Sequence, residues 1–220
     1  MGSVYLLGFL RDRPPIAAFL GLAAPVLFTF SAFAQSLLRT EHNLAEDPIS
    51  ALAAGDSGWI QSVSFALFGV SLAAFVIGLH HGIRSTSWLM FGPAFLLLSA
   101  AGLIGTALFP ATNSAGEFRD DRILHLASAV AVFTGAGLGL IGFSKRMAQD
   151  TMWQGLAKYS FLTGVSVIVL FITAGVLARP SDAPLHHLLG LSQWLLLALW
   201  LPTMGALALR LATNDLARRD

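Results

Sequence analysis

At 220 residues, with 55% apolar and 11% charged residues and a mean hydropathy of +0.72, the chain is too apolar for an ordinary soluble domain. Its net charge of +1, with no basic patch beyond residues that flank apolar runs, gives no footing for nucleic acid. It has no cysteine, which excludes disulfides, thiolate metal ligands and a cysteine nucleophile.

Six apolar runs, at about 16–38, 59–82, 87–109, 123–144, 157–178 and 187–211, are each long enough to cross roughly 30 Å of hydrocarbon as a helix. Only helices suit them, because a lipid-facing segment must satisfy its own backbone hydrogen bonds. The expectation is an all-α, polytopic integral membrane bundle of six transmembrane helices, with residues 1–220 forming one domain. With the N-terminus inside, the inner segments hold nine basic residues, from Arg11 and Arg13 to Arg218 and Arg219. The outer segments hold four: Arg39, Arg119, Arg122 and Arg179. The excess puts both termini in the cytoplasm and the chain in the plasma (inner) membrane as a multi-pass protein.

In the first run, Arg11 to Pro15 followed by an apolar stretch and Ala32-Phe33-Ala34 could be read as a secretory signal. An uncleaved first helix is the preferred reading. Pro25 here, and Pro202 in the sixth run, are expected to kink their helices without ending them. The connector 39–58 carries Glu41, His42, Glu46 and Asp47. Asp47-Pro48 reads as an N-cap followed by Pro at N1, opening a short helix over 48–54 that Leu44, Ile49, Leu52 and Ala53 could lay across the bundle mouth as a lid.

The second run ends in His80-His81 beside Arg84, polar groups favoured at a helix C-terminus and given no function. Without a second inner histidine on another run, a two-haem electron carrier has little support. Gly102 and Gly105 in the third run, and Gly135 and Gly139 in the fourth, have the small-residue spacing of close helix packing. Trp59, Trp88 and Trp153 fall near the ends of runs and read as interfacial belts, whereas Trp194 and Trp200 lie deeper, lining a cavity or packing.

The fourth and sixth runs open alike, with Asp121-Arg-Ile-Leu-His125 and Asp182-Ala-Pro-Leu-His186. The match is too small to establish a repeat. Residues four apart share a helix face, so Asp121 can orient His125, and Asp182 can orient His186 if Pro184 lies in the first turn. Acids at a helix start also favour the helix dipole, which explains both aspartates without any function. Outer-half polar residues such as Gln35, Gln61, Thr106, Ser128 and Gln193 add to an expected outward-facing, His/acid-lined cavity.

Several chemistries suit such a site. A divalent metal such as zinc, held by His125, His186, His187, Glu46 or Asp47, would activate water against a lipid-borne ester or phosphoester. In that version His125 and His186 are ligands or bases and Asp121 and Asp182 orient them. Haem between His125 and His186 or His187 is a lesser alternative. A non-enzymatic binding, transport or sensing cavity, or a purely structural cluster, would use the same residues. No mid-span carboxylate of the kind a proton-coupled pump needs is present.

Ile49-Ser50-Ala51-Leu52-Ala53-Ala54-Gly55, Phe65 to Val70, Gly105 to Phe109-Pro110 and then His125 at the start of the fourth run are the stretches that carry a resemblance. Over roughly 15–210 the chain resembles the bacterial and archaeal membrane family catalogued as domain of unknown function 998. The connector 111–122 departs from a minimal Phe-Pro-x-Asp turn, and His186-His187 is not carried by the resemblance. The resemblance implies a compact helical bundle with no established chemistry. Its layout is similar to six-span eukaryotic proteins linked to lipid remodelling, which turns the expectation toward the bilayer and a lipid-like amphiphile as partners.

Overall fold

The computed structural model describes residues 14–85, 88–110, 120–178, 182 and 184–216, with Pro14, Asp120, Asp121, Asp215 and Leu216 described in their backbone alone. The regular elements among the described residues are all helices: α1 (Pro14–Leu38), α2 (Gly58–Gly82), α3 (Phe91–Leu108), α4 (Asp120–Met147), α5 (Gln154–Leu177) and α6 (Leu189–Leu216). Two short 3-10 turns, Ile49–Ala53 and His186–Leu188, complete them. Six of these segments are long and apolar enough to cross a membrane, and they coincide with the six runs to within a few residues. The clearest shift is at α3, where a turn through Trp88, with φ of 57°, delays the helix to Phe91. Pro25 and Pro202 both lie inside continuous helices.

Each helix packs against the next, α1 and α6 close the ring, and α2 also reaches α6 across the interior. Large apolar side chains such as Phe19, Phe30 and Leu38 point away from the bundle and are well exposed, as a lipid-facing surface requires. The interior holds a run of aromatic contacts: Phe28 with Phe65 at 5.1 Å, Phe28 with Phe68 at 5.2 Å, and Phe68 with Trp200 at 5.5 Å between ring centroids. The closest seam is α3 on α4. A Cβ on Gly135 would stand 2.6 Å from both Phe95 O and Ser99 N, so only glycine permits this backbone contact. Ser99 Oγ donates to Val132 O at 2.8 Å across the same seam.

One end of the bundle, here the lid end, carries the 39–57 connector and the ends of α3 and α5. The opposite end is closed by buried polar groups. Arg146, 1% exposed, donates to His80 O and Ile83 O, each at 2.9 Å, and to His80 Nδ1 at 3.0 Å. Asp150 accepts from Arg84 N at 2.7 Å, and Trp153 Nε1 donates to Gly82 O at 3.1 Å. His80 is thus part of a cap on the α2 C-terminus. Trp153 corrects the belt reading: it is fully buried, because its indole N–H finds a helix-end carbonyl inside the bundle.

Candidate functional site

The lid is a 3-10 turn, Ile49–Ala53, with Ile49, Leu52 and Ala53 buried against the bundle. Pro48, not Asp47, occupies the capping position, and no side chain caps the turn. Asp47 is drawn off by its own loop, where its Oδ2 accepts Asn43 N at 2.8 Å. Side chains just past the end of α1 and on α6 fasten the lid. Arg39 Nη1 donates to Leu52 O at 2.8 Å and Ala54 O at 3.2 Å, and its Nη2 donates to Gln35 Oε1 at 3.0 Å. Ile49 N donates to Gln193 Oε1 at 2.9 Å, tying the lid to α6.

Beneath the lid lies a chamber of about 40 Å³, room for about three water molecules. Its wall is mainly apolar, with Phe28, Phe65, Phe68, Phe133 and Trp200 prominent, and its polar members are Ser50, Thr106, His125 and Gln193. No acid lines it among the described residues. The outer-half polar groups among the described residues largely satisfy one another or their own helices. Gln35 Nε2 donates to Gln61 Oε1 at 2.8 Å, Thr106 to Gly102 O at 3.0 Å, and Ser128 to Leu124 O at 2.8 Å.

His125 joins three elements at the chamber wall. Its Nδ1 lies 2.8 Å from Phe109 O, at the end of α3, and its Nε2 lies 3.2 Å from Ser50 Oγ on the lid. A carbonyl oxygen can only accept, so Nδ1 carries the proton and Nε2 offers a lone pair to the Ser50 hydroxyl. Trp200 is fully buried on the same wall, and its indole Nε1 has no hydrogen-bond partner.

The other predicted site residues whose side chains are described are not gathered here. Glu46 is exposed, and Asp47, besides its bond to Asn43 N, approaches His42, at 3.9 Å between Oδ2 and Nδ1. Asp182 lies on an exposed turn before α6, so the helical pairing of Asp182 with His186 does not form. His186 Nδ1 instead donates to Ala178 O at 3.0 Å, and Leu185 N to Leu177 O at 2.9 Å, so this stretch closes α5 before α6 begins. His187 is exposed. Asp121 does share α4 with His125 one turn away; its side chain, and the acidic connector 111–119, lie outside the described residues. Among the described residues no group of three or more His, Asp or Glu could hold a metal ion. Both ring nitrogens of His125 are engaged, Nδ1 by the Phe109 carbonyl, which fixes the tautomer, and Nε2 by the Ser50 hydroxyl.

Sequence reasoning missed Ser50, whose tie to His125 spans 75 residues and leaves no local pattern. It also missed a second concavity, a membrane-facing groove of about 610 Å³ between α1 and α6. Pro25, Phe30, Phe33, Trp194 and Pro202 line it, and Trp194 packs edge-on against Phe33 at 6.0 Å. Leu197 lines both the groove and the chamber and so lies between them.

No curated protein and no solved structure matches the chain. The family described as Protein of unknown function (DUF998) matches residues 22–210, and the chain, a helical protein of membrane type, belongs to that family.

Proposed function

We propose that the protein binds a lipid-like amphiphile at the outer face of the plasma (inner) membrane, with the apolar tail in the α1–α6 groove and the polar end in the chamber beneath the lid. The observation that carries this reading is the shared wall at Leu197. A bilayer-facing apolar groove abuts a chamber whose few polar groups cluster on the lid side. In this reading the Leu197 side chain moves aside to let the polar end pass from groove to chamber. The groove has the volume for an acyl chain, and the chamber as it stands has room only for a small polar group. The buried Arg146 cap at the opposite end favours a one-sided site over a conduit.

The test is photo-crosslinking of purified protein with an ether-linked lysolipid that carries a diazirine in its tail. Ala198 is exposed on the groove wall, so Ala198→Phe fills the groove without disturbing the core. Labelled peptides from α1 and α6 are expected, with yield reduced about tenfold in Ala198→Phe, equivalent to ~1.4 kcal/mol of affinity. Equal labelling of the variant, or labelling spread over all six helices, would remove the groove from the proposal.

A further inference from the structure

We propose that Ser50 and His125 are a nucleophile and general base that cleave an acyl ester of the bound amphiphile; this rests on the binding reading above and adds a reaction to it. A serine becomes a nucleophile when a base in hydrogen-bond reach removes its proton and a third group holds that base in the right tautomer. All three parts are present. Ser50 Oγ stands 3.2 Å from His125 Nε2, and Phe109 O, 2.8 Å from Nδ1, holds the ring proton there and so turns the basic nitrogen toward serine.

The surroundings fit the chemistry. Ser50 sits on a lid turn fixed from two sides by Arg39 and Gln193, so its hydroxyl is held by rigid backbone. Ser50 and His125 share the chamber with Trp200, whose buried indole N–H has no acceptor in the free protein. An unpaired buried donor is costly, and an ester carbonyl oxygen entering the chamber would supply the acceptor. Gln193 spends its carboxamide oxygen on Ile49 N, which leaves its NH2 group as a second donor on that wall.

The step balances with water alone. As the Ser50 Oγ–carbon bond forms, His125 Nε2 takes the hydroxyl proton and the carbonyl π electrons move onto oxygen. Collapse of that oxyanion breaks the ester C–O bond, and Nε2–H returns its proton to the departing alkoxide. Water then gives a proton to Nε2 and attacks the acyl-serine carbonyl. Ser50 leaves with that proton, releasing a carboxylic acid. Reactant and product are an ester plus water and an acid plus an alcohol.

The full chain in detergent is treated with a fluorophosphonate, which phosphonylates activated serines, and assayed with p-nitrophenyl esters of increasing acyl length. One adduct, mapped to Ser50, and turnover that rises with chain length are expected. Ser50→Ala should lose both while melting within a few degrees of the parent, and His125→Gln should slow both by about 10²–10⁴-fold. The ether-linked photoprobe is run on the same preparations. Normal crosslinking in α1 and α6 without adduct or turnover overturns the hydrolase and leaves binding intact. An adduct at Ser50 without crosslinking supports the dyad and overturns the lipid substrate. An adduct that persists in Ser50→Ala overturns the assignment of the nucleophile.

Discussion

Arg39 and Arg146 play the same part at opposite ends of the bundle. Each sets one terminal nitrogen between two carbonyl oxygens, Leu52 and Ala54 in one case and His80 and Ile83 in the other, and spends the second on a side chain, Gln35 Oε1 or His80 Nδ1. Lysine, with one nitrogen, could not hold the two carbonyls and the side-chain acceptor from two fixed positions. Close to Arg39, His42 is a contrasting case. Its side chain is 5% exposed, and its Nε2 is buried with no partner. Burial holds its pKa below the ordinary 6.5; Arg39 lowers it further, while Asp47 and Glu41 pull the other way without prevailing. The unfolded chain therefore binds a proton at His42 more readily than the folded one. Stability is intact above pH 6.5 and is lost as pH falls below that value toward the folded pKa. We expect faster amide exchange in residues 42–54 as the pH drops from about 7 to about 5, after correction for intrinsic rates. His42→Leu should abolish that trend at little cost to stability, because no hydrogen bond is lost at Nε2. Identical pH profiles for parent and variant would exclude His42 as its source.

At the scale of elements, the lid depends on a close approach to α6. A Cβ on Gly190 would lie 2.5 Å from both Leu44 O and Asp47 O, and Leu191 N donates to Ala45 O at 3.1 Å in the same contact. Gly190→Ala must push the 44–47 backbone away from α6, at an overpacking cost of about 1–3 kcal/mol. Exchange at the lid amides should quicken while α3 and α4, remote from the contact, keep their protection. Uniform deprotection would mean that the lid and the bundle open as one unit. The existence of the lid was legible in the sequence: Pro48 with Ile49, Leu52 and Ala53 marks a short apolar-faced turn, and the structure has one there. Its fastening was not legible. The Ile49–Gln193 bond joins residues 144 apart, and only the ring closure of α6 on α1 brings them together. Asp182–His186 failed for the opposite reason. Spacing of four implies a shared face only inside a helix, and that stretch is spent on closing α5.

At the scale of the whole molecule, hydropathy made the six spans legible, because a lipid-facing helix must be long, apolar and uninterrupted. Aromatic chamber and membrane groove were hidden, since phenylalanine serves equally in packing and in lining a cavity. Orientation is the property on which the proposed site most depends, and it rests on basic residues: nine toward one side and four toward the other. The cysteine-free chain makes the experiment direct, because any introduced cysteine is the only thiol. Ser57 is exposed at the lid end and makes no side-chain capping bond, and Ala148 is exposed at the opposite end. Ser57→Cys should react with a membrane-impermeant maleimide on intact cells, whereas Ala148→Cys should react only after permeabilisation. The reverse pattern would place the chamber, the lid and the Ser50–His125 pair on the cytoplasmic leaflet. The local chemistry would survive that inversion, but the supply of amphiphile would not be the same, since the two leaflets offer different lipids.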